Sequence, residues 1–149
     1  MYVRTSGIPS NISLSMCRKA AKFYAKTLLG ERLSNNIKVK IKFNDKSLGE
    51  DLYGFCDWHC DKPKPRNFII SIDPNLSKKM ILLVLAHEMV HVKQYARGEL
   101  KDLMRTNMVK YMGKLYDDEK ISYWSHPWEK EARKLEKKLY TEFRKSLKS

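Results

Sequence analysis

Apolar positions recur along this chain with periods that change from segment to segment. From Ser13 to Leu33 they fall at three- and four-residue steps, among them Leu14, Ala21, Phe23, Tyr24, Ala25 and Leu28, which predicts an amphipathic helix. Gly30 and Asn35-Asn36 supply breaks near its end. The rhythm then shortens to two. Ile37, Val39, Ile41 and Phe43 alternate with lysines, the pattern of a half-buried strand. Asn44-Asp45 starts a turn, a short strand is expected around Leu52 to Trp58, and Lys-Pro-Lys-Pro at 62–65 reads as a loop or an edge. Asn67 to Asp73 reads as a further strand, stopped by Asp73-Pro74-Asn75.

Ser77 is placed to cap a helix over Lys78 to Ala96, with Gly98 beyond its end. Met80 to Ala86 is apolar all round, so this helix belongs in the middle of the molecule. Weaker strand-like pieces follow at Met108–Tyr116 and Ile121–Trp124, with a hairpin expected around Asp117-Asp118. Pro127 suits the first turn of a last helix running to about Arg144, whose apolar stripe is Trp128, Ala132, Leu135, Leu139 and Phe143. The predicted class is α+β: an N-terminal helix, a three- to five-stranded mostly antiparallel sheet, a central helix and a C-terminal helix.

Composition narrows the function classes. With 149 residues, 42% of them hydrophobic and 32% charged, the chain fits one globular domain over 1–149 with a core of its own. The longest apolar run is too short to cross a membrane, and the first residues lack the pattern of a secretory signal. Three cysteines, an odd number, argue against a disulfide framework. The expected compartment is therefore cytoplasmic, a host's cytoplasm if the protein is viral, and the expected state a monomer. A formal net charge of +13 makes nucleic acid a candidate partner of the surface. Lysines such as Lys130, Lys134, Lys138 and Lys145 on the last helix are available for phosphates.

Chemistry enters at His87-Glu88-Met89-Val90-His91, an H-E-x-x-H pattern inside the central helix. Residues four apart on a helix differ by about 40° around the axis and about 6 Å along it, so both imidazoles can reach one metal ion. Glu88 is turned roughly 100° from His87, beside the metal, where it can take a proton from a water. Zinc is the expected ion, because it lowers the pKa of a bound water from 15.7 to about 7 and polarises a carbonyl. Glu88 is then the general base, and the substrate a polypeptide. The same metal and base could also attack another carbonyl class. A basic nucleic-acid-binding module with a structural or vestigial metal is the alternative from a different class.

Catalytic zinc commonly has a third protein ligand. Leu85-Ala86-His87-Glu88-Met89-Val90-His91 with Gln94-Tyr95, and later Pro127-Trp128-Glu129-Lys130-Glu131-Ala132, resembles the small gluzincin-type metallopeptidases and is similar to short SprT-like metallopeptidases of phages. The likeness runs from about Gly54 to Leu135. It implies a small zincin-like fold, a zinc metalloendopeptidase activity and a third ligand on the helix after the active-site helix. In gluzincins that glutamate often precedes an alanine by three residues and an Asp or Asn by four. Glu129 meets the alanine condition through Ala132, whereas Arg133 occupies the next position. Glu131 and His126 are the other candidates, and a three-histidine site is the usual description of SprT-like enzymes. Glu129 and Glu131 point about 200° apart, so one ion does not easily take both.

Other expectations concern the surroundings of this motif. Asn67 to Asp73 could offer a sheet edge to an extended substrate. Met1–Ser13 could block the cleft. Cys56, His59 and Cys60 could hold a second, structural zinc, and Tyr116 or Tyr123 could stabilise an oxyanion.

Overall fold

The structure is a computed structural model that describes residues 1–44, 53–58, 64–103 and 108–148. The expected turn at Asp45, the Lys62-Pro63 part of the loop, and His59 and Cys60 lie outside the described residues.

Among the described residues eleven elements follow one another: β1 (Tyr2–Ser6), α1 (Leu14–Ser34), β2 (Lys38–Phe43), β3 (Gly54–Trp58), β4 (Asn67–Ile72), α2 (Lys78–Ala96), β5 (Leu100–Asp102), β6 (Met108–Tyr111), β7 (Lys114–Asp117), a 3-10 turn (Tyr123–Ser125) and α3 (Pro127–Leu147). The class is α+β. The main sheet has the order β1-β2-β4-β3, and a small sheet has the order β5-β6-β7.

The main sheet corrects the expectation of mostly antiparallel pairing. β1 pairs β2 and β2 pairs β4 in parallel, and β3 alone runs antiparallel, against β4. The cause is β1, which the hydrophobic pattern does not announce: of its inward positions, Val3 is apolar and Thr5 is not. With β1 present, β1-α1-β2 is a crossover unit whose two strands must run the same way. The small sheet is antiparallel throughout. Its hairpin turns at Met112-Gly113, both at positive φ (50° and 83°), as a two-residue turn matching strand twist requires. The expected hairpin at Asp117-Asp118 is thereby moved one strand earlier, and Tyr123–Ser125 forms the 3-10 turn instead of a strand.

The helices follow the caps in the sequence. Ser13 and Ser77 each accept a hydrogen bond from the amide three residues on, at 3.1 and 3.2 Å, and α1 and α2 start there. Gly30 leaves helical geometry at φ 79° inside α1. Arg97 donates to the carbonyls of Leu28 and Leu29 beside this kink.

Val39, Ile41, Phe43, Phe68, Ile70 and Ile72 form the inner face of the sheet. α1 and α2 pack on that face, and α3 packs on α2. Phe143 of α3 meets Phe23 and Tyr24 of α1 with ring centroids 5.5 and 5.7 Å apart. Tyr24 in turn donates to the carbonyl of Leu82 in α2 at 3.1 Å. α2 is therefore held from three sides, and the rotation of α3 about its own axis is set by buried side chains. No described helix is long and apolar enough to cross a membrane.

Phe143 is fully buried and locks α3 against α1. Phe143→Ala is expected to lower unfolding stability by about 3–5 kcal/mol, read as a fall in the urea midpoint at unchanged slope.

Candidate metal centre

The middle of α2 faces α3. Helical spacing turns His87 and His91 to the same side, with ring centroids 5.1 Å apart. From α3, the Glu129 carboxylate enters between them. One oxygen lies 3.0 Å from His87 Nε2 and the other 2.8 Å from His91 Nε2. His91 and Glu129 are buried and His87 nearly so. These three residues form a group that could hold a metal ion, their ligand atoms lying within 4.8 Å of one another.

The donor set fits a small ion. Tetrahedral ligands about 2.0–2.1 Å from zinc stand roughly 3.3 Å apart. The nitrogen–oxygen contacts here are a few tenths of an ångström shorter, so a slight opening of the Glu129 side chain would admit it. The outer nitrogens are engaged. His87 Nδ1 is 3.0 Å from Glu136 Oε2, and His91 Nδ1 is 2.7 Å from Gln94 Oε1. With Nδ1–H donating to an oxygen, each ring is held so that Nε2 points inward, where its proton bonds Glu129 and where, once that proton is lost, its lone pair would face a metal. Gln94 is itself pinned, its Nε2 donating to the Trp128 carbonyl at 3.0 Å and to Glu131 at 2.8 Å.

This arrangement separates the three candidates for the third position. Glu129 is the one brought between the two imidazoles. Glu131 supports Gln94 and pairs with Lys93 at 3.2 Å. His126 stacks on Trp128 and directs Nε2 to the Ile121 carbonyl and to Asp118, at 3.0 and 3.1 Å. Glu136 escaped sequence reasoning, which looked for an orienting group at the position of Arg133. It lies seven residues beyond Glu129, and seven residues are close to two helical turns. That shared face is the signal that could have found it. Gln94, three residues beyond His91, carried the same kind of signal.

The electrostatics follow from burial and pairing. Burial opposes a charged imidazole at His87, but hydrogen bonds to Glu129 and Glu136 outweigh it and raise the pKa to about 10. His91 is likewise raised, against its burial, by Glu129 and Glu88. Burial alone would raise Glu129, yet the two histidines hold it well below the usual carboxylate range. Glu88 moves the other way: burial pushes it up, partly offset by His91 and His87.

Beside the group opens a cleft of about 830 Å³ lined by His87 and Glu88, with Tyr53, Leu83, Val84 and Trp124 among its walls. Tyr123 also lines it, whereas Tyr116 packs on Trp128. The edge strand along this cleft is β3. β4, the expected edge, is paired on both sides and buried in the sheet, since β3 folds back antiparallel on it. β3 approaches α2 closely at Gly54, where a Cβ would stand 2.4 Å from Val84 Cγ1 and 3.4 Å from Glu88 Cγ. Glycine is what lets the strand pass Glu88 so near.

Two other expectations are corrected or narrowed. The first residues do not close the cleft: Tyr2–Ser6 is the opposite edge strand, and Ser10 and Asn11 bond to Pro74, Asn75 and Leu76. Cys56 is a buried free thiol on the inner face of β3. Among the described residues, His87, His91 and Glu129 are the metal-capable group found. Comparison with protein-family models, with curated proteins and with solved structures finds no match to this chain.

Glu136→Gln, which weakens the hold on His87 Nδ1, is expected to lower zinc affinity about 10- to 100-fold in calorimetric titration. A second expected outcome concerns pH. His87, raised from 6.5 to about 10, contributes stability that is complete below pH 6.5 and lost as pH rises toward 10. Glu129, lowered from 4.5, contributes stability that is complete above pH 4.5 and lost as pH falls. Metal-free protein should therefore melt highest between pH 4.5 and 6.5. Metal binding needs neutral imidazoles, so added zinc should move that optimum upward. Thermal midpoints across pH, with chelator and with zinc, check both statements.

Proposed function

We propose that this chain is a zinc metalloendopeptidase, with His87, His91 and Glu129 as ligands and Glu88 as general base. The observation that carries the reading is the Glu129 carboxylate seated between the two inner nitrogens, beside a cleft that His87 and Glu88 line. A structural zinc is usually closed by four protein ligands. Three ligands beside an open cleft suit a catalytic centre better. The resemblance of His87–His91 and Pro127–Ala132 to gluzincin-type and SprT-like sequences points the same way, and the zincin-like character of the fold is part of the same proposal.

When bound, zinc would supply Lewis acidity toward the scissile carbonyl and toward the attacking water. The chain's own residues do the rest. An extended peptide would lie along β3, taking main-chain hydrogen bonds from the edge. Glu88, its pKa raised by burial, accepts a proton from the water as the oxygen attacks the carbonyl carbon. The C–N bond then breaks, and Glu88 returns that proton to the leaving amine. Tyr123 lines the cleft, where its hydroxyl would donate to the developing oxyanion. Glu136 and Gln94 keep the imidazoles oriented through both steps.

The test is cleavage of an unstructured protein such as casein. Activity should disappear with a chelator and return with zinc. Glu88→Gln should bind zinc as before and lose about 10²- to 10⁴-fold in rate, because it keeps the shape and removes the base. A Glu88→Gln protein as active as the parent would refute the mechanism. Zinc binding without any cleavage would favour the structural-metal reading.

A further inference from the structure

The outer face of the main sheet has no helix on it among the described residues. That is unusual, because sheets built from parallel ladders are ordinarily covered on both faces. Here β1, β2 and β4 are parallel, and the described helices pack on the inner face. By register, the outer face presents Arg4 beside Lys38, Lys40 and Lys42. Asp57 is the acidic residue that the same face carries among the described strands. Neither Arg4 nor the three lysines form an ion pair among the described residues.

Two aromatic rings frame this basic surface. Tyr2 is 58% exposed at one corner and Phe55 is 50% exposed at the opposite one. Three strand spacings of about 4.8 Å and four residues of about 3.3 Å put them roughly 20 Å apart along the diagonal. Lys40 lies between them, next to Ile69 of β4.

We propose that this face binds single-stranded nucleic acid, with the lysines and Arg4 on phosphates and with Tyr2 and Phe55 stacking on bases. Charge complementarity selects a polyanion, and the rings select one with unpaired π faces. A duplex keeps its bases stacked inside and offers these rings nothing. A bilayer surface would want one continuous apolar patch, whereas lysines separate the rings. The diagonal spans a few nucleotides, within the site sizes of about 4–16 nucleotides that sheet-based binders use. Phe55 is next to Gly54 in β3, so the bound strand would pass one residue from the cleft but on the other side of the sheet. The inference stands apart from the peptidase reading and needs no metal.

The experiment is fluorescence anisotropy with a labelled oligo-thymidine strand, a duplex of equal length and labelled polyglutamate, across a salt series. The strand should bind more tightly than either competitor. Tyr2→Ala with Phe55→Ala should weaken it about 30-fold or more, since each stacked base is worth roughly 5- to 150-fold. Lys40→Gln with Lys42→Gln should reduce the salt slope by about 1.4, at roughly 0.7 for each phosphate no longer neutralised. Lys134→Gln with Lys138→Gln, on the exposed side of α3, should change the slope little. Melting curves confirm that each variant is folded, and Tyr2→Ala alone serves if the lysine pair is not. The proposal is overturned if the strand fails to bind. It is equally overturned if binding survives the sheet variants and is lost in the α3 pair, or if polyglutamate binds as tightly as the strand.

Discussion

A single carboxylate organises the centre of this molecule. Glu129 reaches from α3 into the gap between His87 and His91 on α2, and each oxygen meets one imidazole nitrogen at 3.0 or 2.8 Å. Burying one carboxylate and two imidazoles between packed helices is unfavourable unless each is paired. Here each is. The same pairing that makes the buried cluster tolerable also aligns three donor atoms on one point, so packing and candidate chemistry have a common origin.

The alignment depends on what stands behind the rings. Glu136 holds His87 from the far side, and Gln94 holds His91 while being held by the Trp128 carbonyl and Glu131. These contacts cross from α2 to α3 at several heights, so a shift of either helix would misalign both imidazoles together. Lys93 ties the outer end through Glu131 and Glu99. The aromatic packing of Phe143 on α1, distant from the ligands, thus reaches the site through the rotation it imposes on α3.

α2 also divides the molecule's surfaces. Its ligand face meets α3, and its Val84 side meets Gly54 of β3, which brings an edge strand alongside Glu88. The sheet's inner face is wholly occupied by this packing. Its outer face is left to lysines, Arg4 and two exposed aromatic rings. β3 therefore takes part in two surfaces: one at its edge, in the cleft, and one on its outward face. The +13 charge is a property of the whole chain, while the register of β1 against β2 concentrates part of it in one place.

What the sequence determined by itself was everything written in short-range periodicity. The limits of α2, its Ser77 cap, the Ile37-to-Phe43 alternation, and the shared face of His87 and His91 with Glu88 turned beside it all depend on steps of one to four residues, where backbone geometry leaves little choice. Pairing partners were a different matter. β1 escaped notice because its short inward side carries one apolar residue, and without it the parallel arrangement had no source. Whether β3 or β4 formed the edge depended on how β3 folds back on its neighbour. The choice among Glu129, Glu131 and His126, and the identity of Glu136 as the group behind His87, waited on the rotation of α3 against α2. Side chains far apart in sequence fix that angle, so only the tertiary structure could decide it.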